Sequence, residues 1–493
     1  MPRSNRDLLL AAAIALPTLS TVLAQAQVDG ARPPPASPSS SVSASADAVG
    51  TGSRAAPTVS PSASSAGASA PAASSCAPPK PLDLREPPFD GKDFSWLNGN
   101  NRQPDPLLRV GPVVLSLYVD AFYAWQFSRP NDHTIFPTTT APRHNELGFN
   151  LASIGMELPP NAIDSAGGGP IGQFSLQYGA ITQTVGGQDP TVNRGFFLTG
   201  TALQPIRTAS AGWHFHAMQG LNLEFGIFPS YVAMESYLPQ ENWNYSHPFV
   251  SDFTPYYFYG GRAQLYPAQD WKIELWVVNG WQTFGQWHEG RAGGYLINWR
   301  PTERFIVAHV LYVGQEQQAD PGAVRYYTDN YAQLQYWKNK DSFLQSSAIA
   351  LVADVGYEAR TTSPAGPMTG YSITNRMDFR GGVSLTLRGD VYYDKTRALT
   401  TMLPLTADGK STGAQMPNGN DPFLGGGFTA TLDYLPSPWL LWRLEYAHRA
   451  ANVPFFSGSQ GVSPPSGLPT GASYTPALAK TDDRIIANVT LRL

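Results

Sequence analysis

The stretch VVLSLYVDAFYAWQFS, residues 113–128, decides the fold, because every odd position in it up to Phe127 is apolar or aromatic. Val113, Leu115, Leu117, Val119, Ala121, Tyr123, Trp125 and Phe127 share one face, and Ser116, Asp120 and Gln126 fall on the other. A period of two over that length predicts a strand and not a helix. Strands of soluble domains run about 5 or 6 residues. A strand this long with an unbroken apolar face is suited to lipid on one side and water on the other.

The rest of the chain agrees in composition. Of its 493 residues only 14% are charged, against roughly 25% in soluble domains, and 12% are aromatic. The mean hydropathy is -0.23, and beyond the N-terminus no apolar run reaches the about 20 residues that a helical span needs. Alternating strands escape that test, since polar positions dilute the apolar ones. A net charge of -4 and a pI of about 6.1 leave no basic footprint, which sets nucleic acid aside as a partner.

At the N-terminus, Arg3 and Arg6 precede an apolar stretch from Leu8 to Leu23 and the small-residue site Ala24-Gln25-Ala26. Residues 1–26 are therefore expected to be a cleaved signal peptide; Pro17 and the short apolar region argue against an anchor. Residues 27–80 are nearly all Ala, Ser, Pro, Thr, Gly and Val, too poor in apolar volume for a core, and predict a disordered tether. Cys76, the sole cysteine, lies in it, so no intrachain disulfide can form. Residues 81–112 are expected to be a pre-barrel periplasmic segment and 113–493 the barrel.

Past Pro112, alternating segments are joined by connections that are short and long in turn. Short ones include PAQD (267–270), PTE (301–303), KNKD (338–341) and PSP (436–438); long ones include 129–144, 229–255, 395–424 and 451–480. Outer-membrane barrels have short periplasmic turns and longer outer loops, a sidedness that soluble sandwiches lack. Strands are predicted near 113–128, 146–158, 171–183, 206–218, 221–229, 256–266, 271–281, 291–300, 304–314, 327–337, 342–359, 371–378, 382–394, 425–435, 439–450 and 481–493. The fold class is thus all-β, a transmembrane antiparallel β-barrel of about 16 strands after a tether. One long strand over 371–394 is the alternative there, and would break the even count.

Lipid-facing rows are expected at Leu221, Leu223, Phe225 and Ile227, at Leu440, Trp442, Leu444 and Tyr446, and at Ile485, Ala487, Val489, Leu491 and Leu493. Trp125, Trp271, Trp299 and Tyr336 suit interfacial girdles. The opposite faces carry both signs of charge. Candidate pore-lining residues are Asp120, Glu224, Arg262, Lys272, Glu274, Asp354, Arg388, Asp390, Arg443 and Glu445, with Glu358, Arg449, Arg484 and Arg492 of the same parity. Structural ion pairs along the wall, for example Arg443 with Glu445, are the plainer alternative. The link 229–255 carries Glu235, Glu241 and Asp252 among many aromatics and no Lys or Arg. Folded inward, it would form a constriction with its acids opposite arginines such as Arg262, Arg388 and Arg443; with both signs present, weak ion selectivity is expected.

Signatures of catalysis are missing. Asp408-Gly409-Lys410-Ser411 lacks the earlier glycine of a phosphate loop, where Pro404 stands; His288-Glu289 lacks the second histidine of a zinc protease; no GxSxG elbow occurs. His214 and His216 share a strand face but no third ligand can be placed beside them, so they read as lumen histidines. No cofactor and no metal site is expected, and the chain is not expected to be an enzyme.

Several segments resemble the OmpL-like putative beta-barrel porins of bacterial outer membranes: GIFPSYVAMESYLPQENWNYSHPFVSDFTPYYFYGG (226–261), VVNGWQ (277–282), INWRP (297–301), DFSWLNGNNRQ (93–103), DAFYAWQFSRPNDHT (120–134), RHNELGFNLA (143–152) and EYAHRAANVPFFSG (445–458). The likeness runs from about residue 89 to the end. The terminal Leu493 departs from the phenylalanine common in such barrels. The resemblance implies an outer-membrane channel and supplies no active residues. The expected function is passive diffusion of small hydrophilic solutes through a porin-like channel in outer-membrane lipid. The alternatives are a barrel-borne enzyme, or a structural or adhesive barrel displaying its loops. A homotrimer is expected only by analogy with barrels of this size.

Overall fold

In the computed structural model the described residues are 108–493 apart from 161, 164, 187–188, 192–201, 287, 318–319, 321, 362–364, 401–420 and 464–475. The expected signal peptide and tether, nearly all of the 81–112 segment, and Asp408 to Ser411 lie outside them.

Sixteen strands close into one antiparallel barrel. They are β1 (Val113–Gln126), β2 (Leu147–Leu158), β3 (Gly169–Tyr178), β4 (Ile206–Phe215), β5 (Leu221–Pro229), β6 (Tyr257–Ala268), β7 (Trp271–Val278) and β8 (Ala292–Thr302) in the first half. The second half is β9 (Phe305–Gln315), β10 (Val324–Lys338), β11 (Leu344–Glu358), β12 (Gly366–Phe379), β13 (Val383–Asp394), β14 (Phe423–Ser437), β15 (Leu440–Ala451) and β16 (Thr481–Arg492). Each pairs with its sequence neighbours, and β16 returns to β1 with Ile485 opposite Trp125 and Val489 opposite Ala121. Reciprocal 2.9 Å backbone bonds between Leu117 and Leu493 carry the seam to the last residue. Closure leaves no row of unpaired backbone groups facing lipid, which a spanning sheet requires.

Sidedness follows the expectation with one exception. Links 216–220, 269–270, 303–304, 339–343, 380–382 and 438–439 are tight, whereas 127–146, 179–205, 230–256, 395–422 and 452–480 are long; 159–168, on the tight side, is longer than 316–323 and 359–365 on the other. Two strands separate at the turn that sequence left open: Gly381 and Gly382 have φ of 91° and 76°, a left-handed pair that suits glycine. One expectation is corrected. The segment expected as a strand over 171–183 ends at Tyr178, and residues 180–186 form a short helix, α1 (Ala180–Gly186). Between them Gly179 has φ 119°, and a Cβ there would lie 2.5 Å from the Asn150 carbonyl oxygen.

In β1 the odd positions face out and the even ones in: Tyr118, Asp120, Phe122, Ala124 and Gln126 are all buried. Outward rows elsewhere match the alternation, with Leu223, Phe225, Trp442, Leu444, Tyr446, Ile485 and Leu491 exposed. Ile227 departs from its row. It is buried in a cluster with Ile181, Val185, Tyr257 and Phe284, so the exposed apolar face of β5 stops at Phe225. Trp271 and Trp299 stack with centroids 5.6 Å apart beside the short links, and Tyr336 is exposed at the same end, as an interfacial girdle requires.

Candidate conduction pathway

The candidate interior charges all lie on inward faces, and the loop 230–256 comes in to meet them. Its chain holds a one-turn 3-10 helix (Pro239–Glu241) and a one-turn helix, α2 (Phe249–Asp252). From residue 237 to residue 254 every side chain is buried. Glu235, Glu241 and Asp252 are buried with them.

One side of the loop is sewn to the wall formed by β12–β16 and β1. Glu445 accepts backbone N–H bonds from Tyr245 (2.6 Å) and Ser246 (2.9 Å), and a hydroxyl bond from Thr431 (2.7 Å). Arg443 donates to the carbonyls of Pro239 and Asn242, both at 2.9 Å. Arg388 donates to the Ser246 carbonyl, and Asp390 accepts from the Phe249 N–H at 2.9 Å. Asp120 accepts from the Tyr245 hydroxyl at 2.7 Å, and Arg449 holds Asp252 at 2.9 Å. These partners satisfy backbone groups that a loop crossing an apolar space would leave bare.

Apolar packing completes the seam. Phe249 and Phe253 enter a cluster with Tyr392, Phe423, Phe455 and Phe456, and Arg449 lies 4.0 Å over the Phe249 ring. Burying each phenylalanine is worth roughly 1.5–3 kcal/mol. Glycines on the wall make room: a Cβ at Gly370 would sit 2.5 Å from Val250, and one at Gly425 3.1 Å from Phe249. Gly425, near the start of β14, thus admits the loop.

Two expected pairings are corrected. Arg443 pairs not with Glu445 but with Asp433 directly across on β14, Nε to Oδ1 at 2.7 Å, which frees Glu445 for the loop. Of the loop acids, Asp252 meets Arg449 closely and Glu235 stands 3.9 Å from Arg388, while Arg262 pairs with Glu224 on the wall. The contacts between loop and arginine wall are direct and buried, so the charges do not oppose each other across an open lumen. Asp354 accepts from Tyr327 at 2.6 Å, next to Asp329 on the neighbouring strand. Asp433 and Asp329 share their strands' inward parity, the signal that could have found them. His214 bonds Asn222 at 2.7 Å and its ring lies 5.6 Å from that of His216, on the wall.

The other side of the loop leaves a gap. Between it and the wall of β6–β8 is a small cavity of about 70 Å³, partly open to solvent, lined by Tyr231, Glu235, Arg262, Gln264, Lys272 and Glu274 among others. Glu274 is held by Gln264 (2.8 Å), the Trp276 indole (3.0 Å) and Lys272 (3.0 Å). Lys272 is the second residue of β7, so the cavity reaches the barrel half nearest the short links.

Glu235 divides the seam from the cavity. Burial pushes its carboxyl up to about 7, against the pull of Arg388 and with Asp390, Asp252 and Glu445 adding to the rise. A carboxyl whose docked pKa is raised favours docking below its free value and loses that contribution as pH rises through about 7. Loop fluctuations in single-channel traces are therefore expected to grow from about pH 4.5 to about pH 7 and to level off above it, and Glu235→Gln to flatten the dependence. An unchanged pH profile in Glu235→Gln would remove this carboxyl from the account.

Residues 112–472 match the family model for the putative beta-barrel porin-2, OmpL-like proteins. No curated protein matches the chain. Similar solved structures include the anion-selective porin from Comamonas acidovorans, 10% identical over 77% of this chain and 99% of that one, TM-score 0.46. Another is the outer membrane channel DcaP of Acinetobacter baumannii, 10% identical over 77% and 97%, TM-score 0.47. A third is Salmonella typhi OmpF in complex with daunomycin, 11% identical over 77% and 97%, TM-score 0.43.

Proposed function

The chain belongs to the OmpL-like putative beta-barrel porin-2 family, a porin-like channel of the bacterial outer membrane, and from that premise we propose that it passes small hydrophilic solutes by passive diffusion along one side of its lumen. The observation that carries this reading is the asymmetry of the loop 230–256: its charged hydrogen bonds run to the β12–β16 and β1 wall, whereas on the side of β6–β8, where Tyr231 stacks on Trp276, a polar cavity partly open to solvent remains. Arg262, Lys272 and Glu274 then line the route with Gln264, while Asp120, Arg388, Asp390, Arg443 and Glu445 set its width by holding the loop. A polar, partly charged lining suits hydrated solutes, and multiple weak contacts let them leave again.

Liposome swelling tests the reading: vesicles carrying the protein should swell in small neutral sugars and progressively less as sugar size grows. Vesicles that behave like protein-free controls with every sugar would refute it.

A homotrimer is the proposed assembly. On the outward face of β8–β10, at mid-strand, the Tyr295 hydroxyl lies 3.1 Å from His309, which lies 2.5 Å from Asn330. Such polar groups are costly against lipid and cheaper beneath a neighbouring barrel. The mass of the detergent-extracted native protein checks this, three barrels being expected and one contradicting it.

A further inference from the structure

The ion pairs beside the cavity are layered. Arg262 holds Glu224 at 2.7 Å with side-chain exposures of 16% and 4%, and Lys272 holds Glu274 at 3.0 Å with exposures of 17% and 5%. In both, the cation is the member in reach of lumen water and the carboxylate stands behind it, held by other groups. Glu224 also accepts from Ser210, and Glu274 from Gln264 and Trp276. A tally of signs predicts weak selectivity; the layering alters that, because a solute meets the front charge at contact distance and the rear one only through it.

We propose that the cavity is a binding subsite for a small solute carrying a carboxylate or phosphate oxyanion. The oxyanion sits at Arg262 and Lys272 in the cavity, and the remainder of the solute stays on the side that opens to solvent. Guanidinium and ammonium donors match oxyanions in geometry and charge. The carboxylates behind them leave each cation only part of its attraction, so the bound solute is released quickly, as conduction requires. Glu157, exposed on the strand paired with β3 and directly opposite Gln173, is an acid at the cavity's edge, and it opposes entry of anions.

The subsite rests on the channel reading, and one set of recordings separates the two. Single channels in potassium chloride are challenged in turn with benzoate, inorganic phosphate, benzyl alcohol and benzylammonium. Saturable reduction of the current by benzoate, by phosphate or by both supports the subsite and tells which oxyanion it takes. The paired variants Lys272→Gln/Glu274→Gln and Arg262→Gln/Glu224→Gln replace each ion pair by amides of similar size and leave no buried charge unpaired. Each should raise the half-blocking concentration about tenfold, about 1.4 kcal/mol of binding, and Glu157→Gln should lower it. Block by benzylammonium as strong as by benzoate, equal block by benzyl alcohol, or block unchanged in both paired variants would overturn the subsite. Channels that never open would instead overturn the channel reading itself.

Discussion

Replacing Glu445 with alanine is expected to raise single-channel conductance and to open the loop 230–256 to proteolysis in the folded barrel. Glu445 takes two consecutive N–H groups of this loop, at 2.6 and 2.9 Å, and the Thr431 hydroxyl besides. Its loss strands these donors in a buried seam, and removing one partner of such a buried charged set costs about 3–5 kcal/mol. Tyr245 would also lose the backbone position from which its hydroxyl reaches Asp120. The cost falls on docking and not on the barrel, because Arg443 keeps its cross-strand partner Asp433. Glu445→Gln, which retains an acceptor oxygen, should give an intermediate conductance. Wild-type conductance and protease resistance in Glu445→Ala would mean the loop is held by its aromatic packing alone.

Leu444→Arg is expected to impair assembly by about 2–4 kcal/mol, the cost of a cation near the bilayer midplane on a barrel's outer face. Leu444 is exposed between Trp442 and Tyr446, with Leu432 opposite it on β14 and Ala487 on β16, so no carboxylate adjoins the position to pair with the charge. Gln173→Lys, a cation added inside and opposite Glu157, should assemble normally. Folded barrels migrate faster than boiled ones in detergent gels, because closed backbone pairing resists detergent until heated. Loss of that fast band in Leu444→Arg and its retention in Gln173→Lys is the expected result. Equal behaviour of the two would mean the faces are assigned wrongly.

Period-two alternation made the strands, their faces and their number legible, since a spanning strand has only lipid and lumen to choose between. Residues 113–128 alone announced both faces. What alternation does not carry is register. Arg443 and Glu445 share a face and a strand, but the partner of Arg443 is Asp433, fixed by cross-strand pairing that only the closed sheet defines. Thr431 shows the same limit: its parity marks it as an inward residue open to water, whereas Asn244 from the loop bonds its hydroxyl at 2.6 Å. The inward fold of 230–256 was legible as a capacity, from its length, aromatics and lack of basic residues. Its destination was not, because that depends on the two N–H groups seeking Glu445 and on the room left at Gly370 and Gly425. Helix α1 was missed because QYGAITQTV alternates well enough to pass for a strand until Gly179 turns it.

The central claim is that an open path runs beside the docked loop, and conductance of the purified full chain in planar lipid bilayers tests it most directly. Discrete, long-lived steps are predicted, larger when residues 235–252 are deleted; a folded, heat-modifiable barrel that inserts and carries no current, with or without that segment, would contradict it.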